Sequence, residues 1–176
     1  MYILGEKLRN LVPYEPLAGE YPVRLDANES FLPLPGEVKA ELFALLANTP
    51  MNRYPDPLAR ECCAAFADYY GVDERYVTAG NGSDELISVI TGAFMARGDT
   101  LVSLDPDFSM YPFYGALSEC RLVRLCKRDD LSVDVDGLIR AANRENARMI
   151  IFSNPCNPTS LGIPKEDARR IVTETK

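Results

Sequence analysis

From about residue 76 to residue 176, short β-branched or apolar runs alternate with longer segments of helical period. No other feature restricts the fold as much. "YVTAG" (76–80), "TLVSL" (100–104), "RLVRL" (121–125) and "RMIIFSN" (148–154) read as strands. Residues 83–97 read as a helix, because Leu86, Val89, Ile90, Ala93 and Phe94 recur at helical spacing and Gly98 follows. Residues 111–117, 135–143 and 164–176 read as three more, the last with Pro164 in its first turn. This order predicts an α/β domain with a mostly parallel sheet. The apolar run Met149 to Phe152 within 148–154 is that of a strand covered on both faces.

Upstream, residues 1–36 carry Pro13, Pro16, Pro22, Pro33 and Pro35, a density that suits an extended arm. Residues 35–47 read as a helix with Val38, Leu42, Leu45 and Leu46 on one stripe. "NRYPDP" (52–57) reads as a loop, and 58–70 as a helix that Gly71 can close. The predicted division is an arm over 1–36 and a partial large domain over 37–176.

Composition narrows the function. A hydrophobic share of 47% in 176 residues supports a real core. The net charge of −7, with both signs interspersed, argues against a nucleic-acid partner or an anionic membrane surface. Histidine is absent, which excludes His-based catalysis and His-ligated metal within these residues. The five cysteines, Cys62, Cys63, Cys120, Cys126 and Cys156, show no CxxC spacing. They read as reduced, small buried hydrophobes in a cytoplasmic protein. "MYILGEKLRN" is too charged for a signal peptide, and no stretch reaches the ~20 apolar residues of a membrane helix.

Three unusual segments follow strands, and in open α/β sheets ligands bind beyond the carboxyl ends of the strands. "GNGSDE" (80–85) opens a helix, where unpaired N–H groups and the dipole favour an anion and glycines allow close approach. It lacks the lysine of a Walker loop and the third small residue of a dinucleotide fingerprint. Alone, it reads first as a capped turn. "DPDFSMY" (105–111) puts Phe108 past a strand end, either to stack on a flat ring or, more simply, to fill core. "SNPCNPTS" (153–160) holds two Asn-Pro pairs. A cis bond at Asn157–Pro158 is expected to aim the Asn157 amide at a ligand; the plainer reading is a proline-rich loop. Convergence of the three on one edge says more than any one of them.

Together these motifs resemble the fold type I aminotransferases, which use pyridoxal 5′-phosphate, and most of all the histidinol-phosphate aminotransferase group. "LDANES" resembles that group's Leu-x-x-Asn-Glu-Asn, "RYPDP" its Arg-Tyr-Pro-Asp, "GNGSDE" its phosphate loop and "DPDFSMY" its ring-stacking segment. The resemblance implies the type I transferase fold and these roles. Amides around Gly82, Ser83 and Asp84 hold the cofactor phosphate; for an anion to bind there, the Asp84 and Glu85 carboxylates have to turn outward. Phe108 stacks on the pyridine ring, and Asn157 hydrogen-bonds its 3-hydroxyl oxygen. Tyr54 reaches the cofactor phosphate of the other subunit in a homodimer. Tyr14 covers the substrate, an amino acid or phosphorylated amine. A phosphate, a flat ring and a polar substituent do call for an amide cradle, an aromatic platform and an amide donor.

The pattern also departs from that family. Its Schiff-base lysine stands in a Ser-x-Ser-Lys setting, and none of Lys7, Lys39, Lys127, Lys165 and Lys176 does. The Asp that pairs with the pyridinium nitrogen and the arginine for the substrate carboxylate also fall beyond the matched motifs. "NESFLPLP" lacks the family's glycine, and Ser160 stands where the family has one. The expectation is the first part of an aminotransferase, inactive alone. A lyase such as threonine-phosphate decarboxylase, or a non-catalytic chain that binds a phosphate ligand or a partner, shares the motifs.

Overall fold

All but the last residue of strand β1 (Thr100–Asp105) are buried, because the strand has a neighbour on each side and helices above and below. In the computed structural model, which describes residues 3, 5–9, 11, 18–24 and 29–176, β2 (Arg121–Cys126) and β3 (Met149–Ile151) flank β1, both parallel to it. The register sets Leu101 opposite Leu122 on one side and Met149 on the other. The expected mostly parallel α/β architecture is present.

Alternation along β1 divides the core. Val102 and Leu104 pack with Val135, Leu138 and Ile139 of α6 (Val135–Arg144) and with Ile171 of α7 (Lys165–Glu174). Full burial of one such side chain contributes about 1.5–3 kcal/mol. On the other face α5 (Met110–Leu117) comes so close at Gly115 that an added Cβ would lie 3.3 Å from Leu101 Cδ1 and 2.6 Å from Leu122 Cδ2. Next to α5 packs α4 (Gly82–Phe94), and a single turn, α1 (Glu6–Arg9), also lies against α5. These elements form one compact unit, residues 1–12 with 80–176.

The second unit, residues 13–79, contains α2 (Gly36–Ala47), α3 (Arg60–Tyr70) and a 3-10 turn, Glu74–Tyr76. Asp56 organises the start of α3: its carboxylate accepts the Arg60 N–H at 2.9 Å and pairs with the Arg60 guanidinium at 2.8 Å. The backbone bond from Arg60, and then one from the Leu58 N–H at 3.2 Å, hold the Asp56 carboxyl below its ordinary pKa. Gly71 ends the helix in the left-handed region, φ 66°, as expected, and Val72 N–H returns to the Ala67 carbonyl.

Six expectations need correction. Residues 76–80 form no strand: Val77 and Thr78 have the propensity, but a strand needs a hydrogen-bonded neighbour, and the described residues supply none. β3 stops at Ile151, because the Ser153 N–H turns to the Asp107 carboxylate instead of a ladder. α4 ends at Phe94: Met95 is extended, and the Asp99 carboxylate takes the Ala96 N–H at 2.8 Å. The buried residues of α4 are Ile87 and Thr91, with Met95 buried just past its end, whereas Val89, Ile90 and Phe94 are exposed. Thr91 is tolerated there because its hydroxyl donates to the Ile87 carbonyl at 2.8 Å. The stripe of α2 forms, but no residue of that helix is buried. Only Cys63 and Cys156 of the five cysteines are buried; Cys62 and Cys126 are exposed, and Cys120 is half-buried. All five are free thiols, and burial, then the charge of Asp99, pushes the Cys120 thiol up.

Candidate functional site

The carboxyl ends of β1 and β3 are tied together by side chains. Directly beyond β1, the Asp107 carboxylate accepts the Phe108 N–H at 2.7 Å and receives the Ser153 N–H, beyond β3, at 3.2 Å on both oxygens. Tyr111 Oη and Ser153 Oγ lie 3.0 Å apart. Two loops far apart in sequence are thereby joined at one sheet edge, as the parallel order requires. The Asp105–Pro106, Asn154–Pro155 and Asn157–Pro158 bonds are cis, the last as expected.

Asn154 and Cys156 set the course of the second loop. The Asn154 Oδ1 accepts the Ile163 N–H at 2.9 Å, and the Cys156 N–H donates to the Leu161 carbonyl at 2.8 Å. Asn157 is left exposed at the bend, and its side-chain amide has no hydrogen bond among the described residues. Ser160 takes φ 61°, a left-handed conformation that explains why a glycine suits this place.

Phe108 is half-buried, and its ring meets Tyr111 edge-on with centroids 5.5 Å apart. One aromatic thus steadies the other at the mouth of the β1 loop.

The "GNGSDE" segment starts α4 with Gly82 at φ 80° and Asn81 at the N-cap. Gly80 is packed too tightly for a side chain, since a Cβ would lie 2.9 Å from Leu86. The Gly82 N–H donates to the Gly80 carbonyl at 2.9 Å. The Ser83 and Asp84 amides therefore lead off the helix ahead of its first i→i−4 bond. Glu85 departs from expectation: it does not turn outward, and its carboxylate folds back to accept the Asn81 N–H. The positive end of the helix draws in the nearest anion, here a side chain of the helix itself. No hydrogen bond joins this segment to the other two loops among the described residues.

Tyr54 is fully exposed in the second unit, in the loop between α2 and α3. Tyr14 lies outside the described residues. Sequence reasoning passed over Asp107, Ser153, Tyr111 and Asn154. The one available signal was a carboxylate set directly between Pro106 and Phe108 at a strand end. Among the described residues, no group of three or more Cys, Asp or Glu is placed to hold a metal ion, and no helix is long and apolar enough to cross a membrane.

Comparison with known proteins bears on the family and the fold. The family model for aminotransferase class I and II matches residues 21–176. A histidinol-phosphate aminotransferase of Clostridium novyi (strain NT) is 39% identical over 97% of this chain and 48% of its own length. One of Thermococcus gammatolerans is 37% identical over 97% of the chain and 49% of its own length. The chain spans about half the length of these relatives. Among solved structures, the Sinorhizobium meliloti histidinol-phosphate aminotransferase, in complex with pyridoxal 5′-phosphate, superimposes with a TM-score of 0.75 at 28% identity, over 85% of this chain and 40% of that one. Thermus thermophilus aspartate aminotransferase shares the fold at a TM-score of 0.82 over 99% of this chain and 48% of that one, with 20% identity. With the matched model running from residue 21 to residue 176, the chain belongs to the aminotransferase class I and II family.

Proposed function

We propose that this chain supplies the cofactor-binding part of a pyridoxal 5′-phosphate-dependent aminotransferase acting on histidinol phosphate or a closely similar phosphorylated amine, with a 2-oxo acid as amino acceptor. The observation that carries the reading is the union of the "DPDFSMY" and "NPCNPTS" loops through Asp107, Ser153 and Tyr111. It sets Phe108 and the unengaged amide of Asn157 on linked loops at one sheet edge. That is the pairing a flat ring with a polar substituent needs.

The residues fit the cofactor at its phosphate end as well. Gly82 at φ 80° and the leading Ser83 and Asp84 amides make a cradle that already holds a carboxylate on its outer amide. A phosphate there displaces Glu85 or binds beside it. When bound, pyridoxal 5′-phosphate supplies an electron sink for the substrate amine. In this reading Phe108 holds the ring flat and Asn157 orients it. Tyr54, exposed on the second unit, reaches a second subunit in a cytoplasmic homodimer, and Tyr14 lies over the substrate. These 176 residues turn over no substrate alone, because none of their five lysines stands in the Ser-x-Ser-Lys setting.

Amide NMR shifts during titration with pyridoxal 5′-phosphate and with inorganic phosphate test the proposal. Both ligands are expected to move the Ser83 and Asp84 amides, and only the first to move Phe108 and Asn157. Asn157→Ala is expected to weaken cofactor binding and leave the phosphate response intact. No movement of Phe108 or Asn157 at saturating cofactor overturns the reading.

A further inference from the structure

Behind the linked loops lies a group of side chains that cofactor binding does not use. Lys127 follows β2 directly, and its side chain is 1% exposed. Its Nζ stands 2.7 Å from Sγ of Cys156, itself buried, and 3.9 Å from Oδ2 of Asp107, whose side chain is 2% exposed. The Cys156 thiol also lies 3.7 Å from the Pro106 carbonyl oxygen. A buried ammonium needs a compensating partner, and Asp107 is the carboxylate within reach. The Nζ–Sγ distance is that of an N–H···O bond, which is short for the larger sulfur atom. It is the separation expected when one bridging oxygen joins nitrogen to sulfur through two single bonds. A cavity of about 450 Å³ opens beside Lys127, lined also by Val133, Leu161 and Ile163.

We propose that Lys127 and Cys156 form a covalent modification site, in which dioxygen converts the pair to a lysine–oxygen–cysteine bridge. The step balances as one amine, one thiol and one dioxygen giving the Nζ(H)–O–Sγ bridge and one water. Nitrogen and sulfur each lose two electrons, and dioxygen accepts the four. One oxygen atom enters the bridge; the other leaves as water with two of the three N–H and S–H hydrogens. An ammonium–thiolate pair has the same atoms and charge and gives the same products. Two equivalents of a dithiol return four electrons and four protons and restore amine, thiol and water. Cys156 precedes Asn157, so the bridge ties the loop beyond β3 to the end of β2 and fixes its position. A nearby cation favours the reactive form of a thiol, and Cys156, though buried, has the Lys127 Nζ 2.7 Å away.

The test is peptide mapping by mass spectrometry of the unmodified chain, held either in air or anaerobically with dithiothreitol. The air-exposed chain is expected to give one cross-linked product joining the Lys127 and Cys156 peptides. Its mass exceeds their sum by one oxygen less two hydrogens, with protease cleavage after Lys127 blocked. Heavy-isotope dioxygen shifts that product by one oxygen, and dithiothreitol returns the two linear peptides. Cys156→Ser and Lys127→Arg each abolish the product. The proposal is overturned if the air-exposed wild-type chain, after denaturation, shows Cys156 fully alkylated or oxidised on sulfur alone, with normal cleavage after Lys127. That readout needs no variant to fold.

Discussion

Ser160 carries a conformation that its side chain disfavours. A non-glycine residue in the left-handed region costs about 1–2 kcal/mol, against about 0.5–1 kcal/mol for the entropy a glycine loses on folding. Ser160→Gly is therefore expected to stabilise the chain by about 0.5 kcal/mol, read as a higher urea midpoint at unchanged slope. A lower midpoint shows that the serine has a compensating role. Asp136 poses the opposite case. The hydrogen bond from Arg170, at 2.6 Å, and its charge hold the Asp136 carboxyl below the ordinary value of about 3.9. A depressed folded pKa gives stability that is present above the ordinary value and lost as pH falls through the folded one. NMR titration of the Asp136 carboxyl is expected to place its midpoint below that of an unpaired Asp, and Arg170→Gln to raise it. An unmoved midpoint in the variant removes Arg170 as the cause.

At the scale of elements, Asp107 holds two loops and one buried cation. Asp107→Ala strips the Ser153 and Phe108 amides of their acceptor and leaves Lys127 without its carboxylate. The expected loss is about 3 kcal/mol by denaturant unfolding. Asp107→Ala combined with Lys127→Met is expected to recover part of it; equal losses in single and double variants show that the cation is not the cause. The strands β1 and β2 were legible in the sequence almost to the residue, because each is a short stretch rich in Leu and Val between turns. The loops that carry Phe108 and Asn157 were legible as well, because they come after β1 and β3. The partners of the loops were not, because Asp107–Ser153 and Lys127–Cys156 join residues far apart in sequence, and no local pattern encodes such a pair. Residues 76–80 misled for the same reason: propensity marks a candidate strand, and only a neighbour makes one. The α4 stripe misled because nearly all sides of 86–94 are apolar, which leaves period alone unable to choose the buried face.

Across the whole molecule, apolar surface is unevenly placed. Every residue of α2 is exposed, Val38, Leu42, Phe43 and Leu45 among them, and Phe31 before it is 92% exposed. Exposed patches of this kind recruit partners. Sedimentation at micromolar protein is expected to show self-association, and Leu42→Glu with Leu45→Glu to reduce it; a monomer throughout removes the argument. Topology adds a last consequence. The central strand β1 precedes both neighbours in the chain, but the β1–β3 pairs span more than twice as much sequence as the β1–β2 pairs. Closing a longer loop costs more entropy before any contact forms. The β1–α5–β2 segment is therefore expected to assemble first and to serve as the template on which β3 docks. Pulse-labelled amide exchange during refolding reads this directly: protection of Val102 and Val123 should precede that of Ile150. Because Cys156 and Asn157 lie in the loop beyond the strand that docks last, the order of folding makes the linked loops the final part of this unit to take shape.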